Sequence, residues 1–139
     1  MILTDTGFWL ALINPRDKYH QRAISVTENL DERLITTWPV ITETCHLLGR
    51  HIGTQAQIAF MTVMDSGDVE LAVISPQHIP CLTQLMQKYQ DLPMDLADAS
   101  LVLLAEELGN GRILSTDQRD FHTYRWKNHH PFQNLLTGE

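Results

Sequence analysis

Two short apolar runs, one near each end of the chain, are both followed by Thr-Asp. The first run is followed by Asp5, and the second, Ile113-Leu114-Ser115, is followed by Asp117. Short apolar runs bounded by polar residues are typical of buried strands. If the two strands are parallel members of one sheet, both acids emerge at the sheet edge where open α/β sheets bind ligands. The alternative role for each acid is to cap a turn or the next helix.

The pattern between these runs predicts a single α/β domain. Pro93 near the start of one helical pattern and Gly109 just past its end mark a helix in the usual way, and Thr54 is a predicted N-cap. Strands that alternate with helices favour a mainly parallel sheet, and 139 residues suffice for one domain. Further strands are predicted at Leu34–Thr36 and Val69–Ile74, and helices at Phe8–Ile13, Tyr19–Leu30, Val40–Leu48, Thr54–Met64, Gln77–Gln90 and Pro93–Leu108.

Two more acids lie on helical faces that are otherwise apolar. Glu43 follows Val40 by three residues and precedes Leu47 by four, so helical spacing puts it on the apolar seam. Asp98 has the same relation to Met94 and Leu101. An ionised carboxylate on a buried face is unfavourable unless it is paired or coordinates a metal ion. The chain has only ten lysines and arginines, and none lies on these two seams, so metal coordination is favoured.

The four acids together predict a divalent-cation site. Oxygen ligands without a cysteine or histidine set suit Mg²⁺ or Mn²⁺. Sites of this kind often hold two ions that clamp both sides of a phosphodiester displacement. Asp95, one turn before Asp98, and Asp120, three residues after Asp117, are less certain ligands. Asp95 is equally suited to a helix start, where acids are favoured by the helix dipole.

The net charge of −7 opposes nucleic-acid binding, because phosphate contacts normally need lysine and arginine. Bound cations would reverse the field around the acids and weaken this objection. Basic residues gather after Asp117, with Trp126 among them, and could form a strip that contacts phosphates and stacks on bases. A solvated segment is the alternative. The predicted substrate contacts in this strip are Arg119, Arg125 and Lys127.

Four segments, in order and at suitable spacing, resemble the PIN-domain family and in particular its VapC-type toxins. They span residues 3–121 and are residues 3–7, 37–43, 94–99 and 114–121. Many relatives carry serine two residues after the first acid, whereas this chain has Gly7. The resemblance implies that the catalytic and metal-binding residues are Asp5, Glu43, Asp98 and Asp117.

The resemblance also implies a three-layer α/β/α sandwich and RNA cleavage that depends on Mg²⁺ or Mn²⁺. It implies frequent homodimers, and an antitoxin partner where the toxin role holds. The start of the chain has no basic segment followed by a long apolar run, and no stretch approaches the length of a membrane span. We therefore expect a cytoplasmic protein that does not contact membranes.

Three other functions fit parts of the pattern. A phosphoacceptor signalling domain also sets acids at a sheet edge, but it needs a lysine nearby, and none lies near the four acids in sequence. A non-catalytic PIN-like module typically loses acids that this chain retains. A PIN-like nuclease outside any toxin–antitoxin pair, acting in RNA processing or on DNA, remains open.

Overall fold

The computed structural model describes residues 1–117 and 119–138. Its strands are β1 (Ile2–Thr4), β2 (Leu34–Thr37), β3 (Val69–Ala72), β4 (Arg112–Leu114), β5 (Arg125–Trp126), β6 (His130–Pro131) and β7 (Gln133–Asn134). Its α-helices are α1 (Thr6–Ile13), α2 (His20–Asn29), α3 (Trp38–His51), α4 (Thr54–Asp65), α5 (Ile79–Lys88), α6 (Leu96–Leu108) and α7 (Asp120–Thr123), and a 3₁₀ turn at Pro76–His78 precedes α5.

The main sheet has the strand order β3-β2-β1-β4-β7, and every neighbouring pair in it is parallel. The chain runs outward from β1 to β2 and β3, then returns to β4 on the other side of β1. The reversal between β1 and β4 is a topological switch point, where open α/β sheets form ligand crevices at the carboxyl ends of the strands. A separate antiparallel hairpin pairs β5 with β6.

Helices cover both faces of the sheet, which confirms the predicted α/β sandwich. The helices α1–α4 pack against one another, and α5 packs against α6, as expected when right-handed crossovers put the two groups on opposite faces. The indole N–H of Trp9 donates to the Thr4 hydroxyl at 3.1 Å, and that hydroxyl donates to the Ile35 carbonyl at 2.9 Å. This chain of hydrogen bonds joins α1, β1 and β2 inside the core. The largest fully buried side chains include Trp9, Tyr124, Phe8, Phe60, Leu48 and Leu101.

Several predicted boundaries were wrong by a few residues. The helix predicted from Pro93 begins at Leu96, because the Asp95 side chain caps it. Gly53, with a φ of 136° that favours glycine, takes the N-cap position predicted for Thr54. The helix predicted over Gln77–Gln90 is divided into the 3₁₀ turn and α5. No described helix is long and apolar enough to cross a membrane.

The strand β7, which the sequence did not predict, pairs with β4 through backbone hydrogen bonds and through one buried side chain. The Asn134 side chain accepts hydrogen bonds from the backbone N–H groups of Ser115 (3.2 Å) and Leu136 (3.1 Å). Its amide donates to the Ser115 carbonyl at 2.9 Å. Asn134 therefore fixes the backbone of Ser115 immediately after β4.

We predict that Asn134→Ala destabilises the protein by about 2–4 kcal/mol, because it removes three hydrogen bonds and leaves buried backbone groups of Ser115 unpaired. Urea unfolding followed by circular dichroism measures the change. Asn29→Ala is the matched control, since its exposed amide donates to Ser25 of its own helix, and it should change stability by less than about 0.5 kcal/mol. Equal losses for the two variants would contradict the role assigned to Asn134.

Candidate active site

Asp5 is a buried carboxylate at the switch point between β1 and β4. The register pairs Thr4 with Leu114, so the next residues, Asp5 and Ser115, lie side by side. The Ser115 hydroxyl donates to Asp5 Oδ2 at 2.9 Å, and the backbone N–H of Thr6 donates to Oδ1 at 2.7 Å. Burial raises the pKa of Asp5 to about 6, with smaller contributions from Asp117 and Asp95, although the two hydrogen bonds lower it.

Asp117 lies beyond β4 and holds the start of α7. Its Oδ1 accepts the backbone N–H groups of Arg119 (3.1 Å) and Asp120 (2.9 Å), and its own N–H donates to the Ser115 hydroxyl at 2.9 Å. Partial burial raises the pKa of Asp117, and the charge of Asp120 raises it further. With Oδ1 used for capping, Oδ2 is the oxygen available to a ligand.

Asp98 lies in the first turn of α6, where Asp95 is the N-cap. The Asp95 carboxylate accepts the Asp98 N–H at 2.8 Å, and Asp98 Oδ2 accepts the hydroxyl of the buried Tyr124 at 3.3 Å. Burial raises the pKa of Asp98 to about 8, and repulsion by Asp5, Asp95 and Asp117 contributes. The acid predicted on an apolar helical seam is thus only partly exposed and close to other acids.

Glu43 reaches the same edge of the sheet from α3. Burial raises its pKa to about 7, and the nearby carboxylates of Asp95 and Asp5 raise it further. The buried Thr6 hydroxyl is close enough to Glu43 to lower this pKa. It nevertheless forms no hydrogen bond of normal geometry with any described residue. A polar hydrogen-bonding group therefore stands free beside Glu43.

The structure brings the four predicted acids to one edge of the sheet without a cationic partner. Among residues 1–117 and 119–138, the ion pairs formed by lysine or arginine side chains involve none of the four. Their raised pKa values express this imbalance, since burial and mutual repulsion both disfavour the charged forms. The two less certain acids border the group: Asp95 caps α6, and Asp120 pairs with Arg119 at 3.0 Å.

The chemistry of these donors fits a hard divalent cation. The four carboxylates and the Thr6 hydroxyl offer oxygen, as Mg²⁺ and Mn²⁺ prefer. Within the described part of the chain, no three acidic, histidine or cysteine side chains already stand close enough to hold an ion. Cation binding would therefore require the other carboxylates to move toward Asp5, which the bound charge would favour.

The predicted basic strip does not lie beside the acids, with one exception. The Lys127 N–H donates to Glu106, which is eight residues after Asp98 in α6 and hence about 12 Å farther along the helix. Trp126 packs against Gly111, which precedes β4, whereas Asp117 follows it. The prediction that Lys127 and Trp126 flank the acids is therefore corrected: they lie toward the opposite edge of the sheet.

The two arginines of this segment differ in availability. The Arg125 guanidinium donates to the backbone carbonyls of His122, Thr123 and Tyr124, so it caps the end of α7. Arg119, whose side chain is 78% exposed, projects beside Asp117 and Asp120. Arg119 is therefore the member of the predicted strip that the structure leaves next to the acids.

Two residues of the site were missed from the sequence. Ser115 bridges Asp5 and Asp117, and Tyr124 supports Asp98. Ser115 could have been found by aligning the two Thr-Asp runs as paired strands, because the residue opposite Asp5 is then a hydroxyl donor. The structure also explains Gly7: a Cβ there would lie 1.9 Å from the Thr116 hydroxyl oxygen.

Comparisons with known proteins agree with this fold. The PIN-domain family profile matches residues 2–127. Ribonuclease VapC26 of Mycobacterium tuberculosis (strain ATCC 25618 / H37Rv) is 27% identical over 124 residues, which cover 89% of this chain and 92% of that protein. The crystal structure of Mycobacterium tuberculosis VapC20, a sarcin–ricin-loop-cleaving toxin, has a TM-score of 0.80 at 22% identity, over 86% of this chain and 92% of that one. The resemblance to VapC-type PIN domains is thereby confirmed, and the chain belongs to the PIN-domain family.

Proposed function

We propose that the protein is an endoribonuclease that requires Mg²⁺ or Mn²⁺ and acts as the toxin of a toxin–antitoxin pair. The family and the relative named as a ribonuclease support RNA hydrolysis. The toxin role implies a cognate antitoxin, and the resemblance implies a homodimer.

One observation carries the proposal: four acids share an edge of the sheet, partly or fully buried, with raised pKa values and no cationic partner among the described residues. Such an arrangement opposes folding unless it serves a bound positive charge. A phosphoacceptor domain would need a lysine at this edge, and no described lysine forms an ion pair with these acids.

The protein's own groups divide the work at the site. Ser115 and the Thr6 N–H fix both oxygens of Asp5, so this ligand is held without rotational freedom. Tyr124 and the start of α6 orient Asp98, while Asp117 keeps one oxygen free. Asp5, Glu43, Asp98 and Asp117 would hold the cation. When bound, it supplies Lewis-acid activation of the scissile phosphate and of water.

We predict that wild-type protein cleaves single-stranded RNA in Mn²⁺ or Mg²⁺ and not in EDTA, and that Asp98→Asn lowers the rate at least about 100-fold. Gel electrophoresis of labelled RNA measures the rate. Asp65→Asn is the matched control, because this exposed acid ends α4 at the opposite edge of the sheet and should retain wild-type activity. Cleavage in EDTA at the wild-type rate would contradict the metal requirement.

We predict that the metal-free protein loses stability as pH rises. The pKa values of Asp5, Glu43 and Asp98 are raised on folding, so the folded state binds more protons than the unfolded state above about pH 4. The contribution of these bound protons to folding stability is complete below the ordinary pKa values of the carboxyl groups. It is lost as the pH rises through the raised pKa values toward pH 8. The Tm without metal should therefore be roughly 3–8 °C lower at pH 8 than at pH 6.

Thermal melts of two variants, and of wild type with one added ion, test the origin of this dependence of the Tm on pH. Asp98→Asn should reduce the difference in Tm between pH 6 and pH 8, and Asp65→Asn should leave it unchanged. Millimolar Mn²⁺ should raise the Tm at pH 8 by mass action on the folded state. A metal-free Tm that is equal at pH 6 and pH 8, or that rises, would argue against mutual repulsion of the acids.

We predict that Arg119, and not Lys127, assists RNA binding. Removal of an exposed cation beside the acids should weaken binding by about two- to tenfold at low salt, whereas removal of one at the far edge should not. Fluorescence anisotropy with labelled RNA in Ca²⁺, an ion that also takes oxygen ligands, compares Arg119→Ala with Lys127→Ala. A larger loss for Lys127→Ala would restore the strip that the sequence predicted.

A further inference from the structure

A mainly apolar cavity of about 590 Å³ opens directly beside two of the acids. It lies between the first half of α3 and the start of α6 and is widely open to solvent. Glu43 and Asp95 form one side of it, and the remaining wall includes Trp38, Pro39, Leu96 and Ala97. Whatever occupies this cavity is therefore in contact with the edge that holds the acids.

The indole of Trp38 is presented to this cavity by the way α3 begins. Thr37, the N-cap, turns inward: it is 1% exposed, and its hydroxyl is 2.7 Å from that of Ser100. Trp38 follows it and is 49% exposed, and the Thr42 hydroxyl donates to its carbonyl at 3.0 Å. Leu96, 47% exposed at the start of α6, lies in the same wall. Large apolar side chains so exposed beside a polar site mark a binding surface.

The lining of the cavity favours a flat, uncharged group. Among the described residues that line it there is no lysine or arginine, and His46 is the one histidine. A phosphate would meet the charges of Glu43 and Asp95 there without compensation. An unpaired nucleobase has no charge and has a face that stacks on aromatic side chains, which is how proteins commonly hold single-stranded RNA.

We propose that Trp38 and Leu96 form a subsite for an unpaired base of the RNA substrate, next to the phosphate that the acids engage through their cation. This inference rests on the proposed function and names the part of the substrate that the cavity takes. Stacking depends little on base identity, so the subsite would position single-stranded RNA and exclude the paired bases of a continuous duplex. The subsite would supply the base stacking that the sequence suggested for Trp126, which lies too far from the acids.

Binding of a random single-stranded RNA of about 12 nucleotides in Ca²⁺ tests the subsite, with an abasic ribose-phosphate strand of equal length as the second probe. Trp38→Ala should weaken RNA binding by about fivefold or more, and Trp38→Phe, which keeps an aromatic face, by no more than about twofold. Both variants should bind the abasic strand as wild type does. Ile79→Ala is the matched control: Ile79 is 58% exposed and follows His78, which pairs with Glu107 near the far end of α6.

Two further measurements keep the outcomes distinct. RNA should quench the fluorescence of wild type more than that of Trp38→Phe, because Trp9 is fully buried and Trp126 lies toward the opposite edge. Thermal melts should show that the variants remain folded, and calorimetry with Mn²⁺ should show unchanged metal binding.

Equal RNA affinities of wild type and Trp38→Ala would overturn the subsite and leave the proposed function intact. A wild-type protein that neither binds nor cleaves RNA would overturn both. If wild type self-associates in sedimentation and Trp38→Ala abolishes this while retaining RNA affinity, the surface is an interface between two copies and the base subsite is rejected.

Discussion

The parallel pairing of β1 with β4 is the constraint on which the site depends. It places the two carboxyl ends side by side, and its register sets Ser115 opposite Asp5. Asn134 extends the constraint outward, since it holds the backbone of Ser115 from the adjacent strand β7. A chain of hydrogen bonds from Asn134 in β7 through Ser115 thus fixes the buried carboxylate of Asp5 in the middle of the sheet.

The fold tolerates the uncompensated charges of the four acids because aromatic packing on both sides of them stabilises it. Trp9 packs edge-on against Phe8 and Phe60, with ring centroids 4.9 and 5.7 Å away. On the other side of the site, Tyr124 packs against Phe121 and Tyr89 while its hydroxyl reaches Asp98. Apolar burial therefore fixes side chains, such as Tyr124, that hold the acids in place. The repulsion among the acids is not relieved by this packing, and a bound cation would relieve it.

The sequence predicted the features that depend on local residue patterns. It missed those that depend on which strands pair and in which register. Hydrophobic periodicity identified four of the five sheet strands and the major helices, and acids on apolar seams identified Glu43 and Asp98. The strand β7 is two residues long and carries no pattern of its own, so only its contact with β4 reveals it. Lys127 follows the last of the acids in the chain, but the hairpin carries it toward the far edge, and the register places Ser115, not Asp117, beside Asp5.

A protein with a net charge of −7 that binds RNA has few cations of its own to place against phosphates, so a cation from solution becomes important. Lys127 lies toward the opposite edge and Arg125 caps α7, so Arg119 is the member of the predicted basic strip that remains beside the acids. Without a divalent ion, the same carboxylates that would position the substrate repel its phosphates. The ion would therefore govern binding as well as chemistry, and an uncharged apolar surface such as that of Trp38 complements it, because stacking on a base does not depend on the sign of the nearby charges.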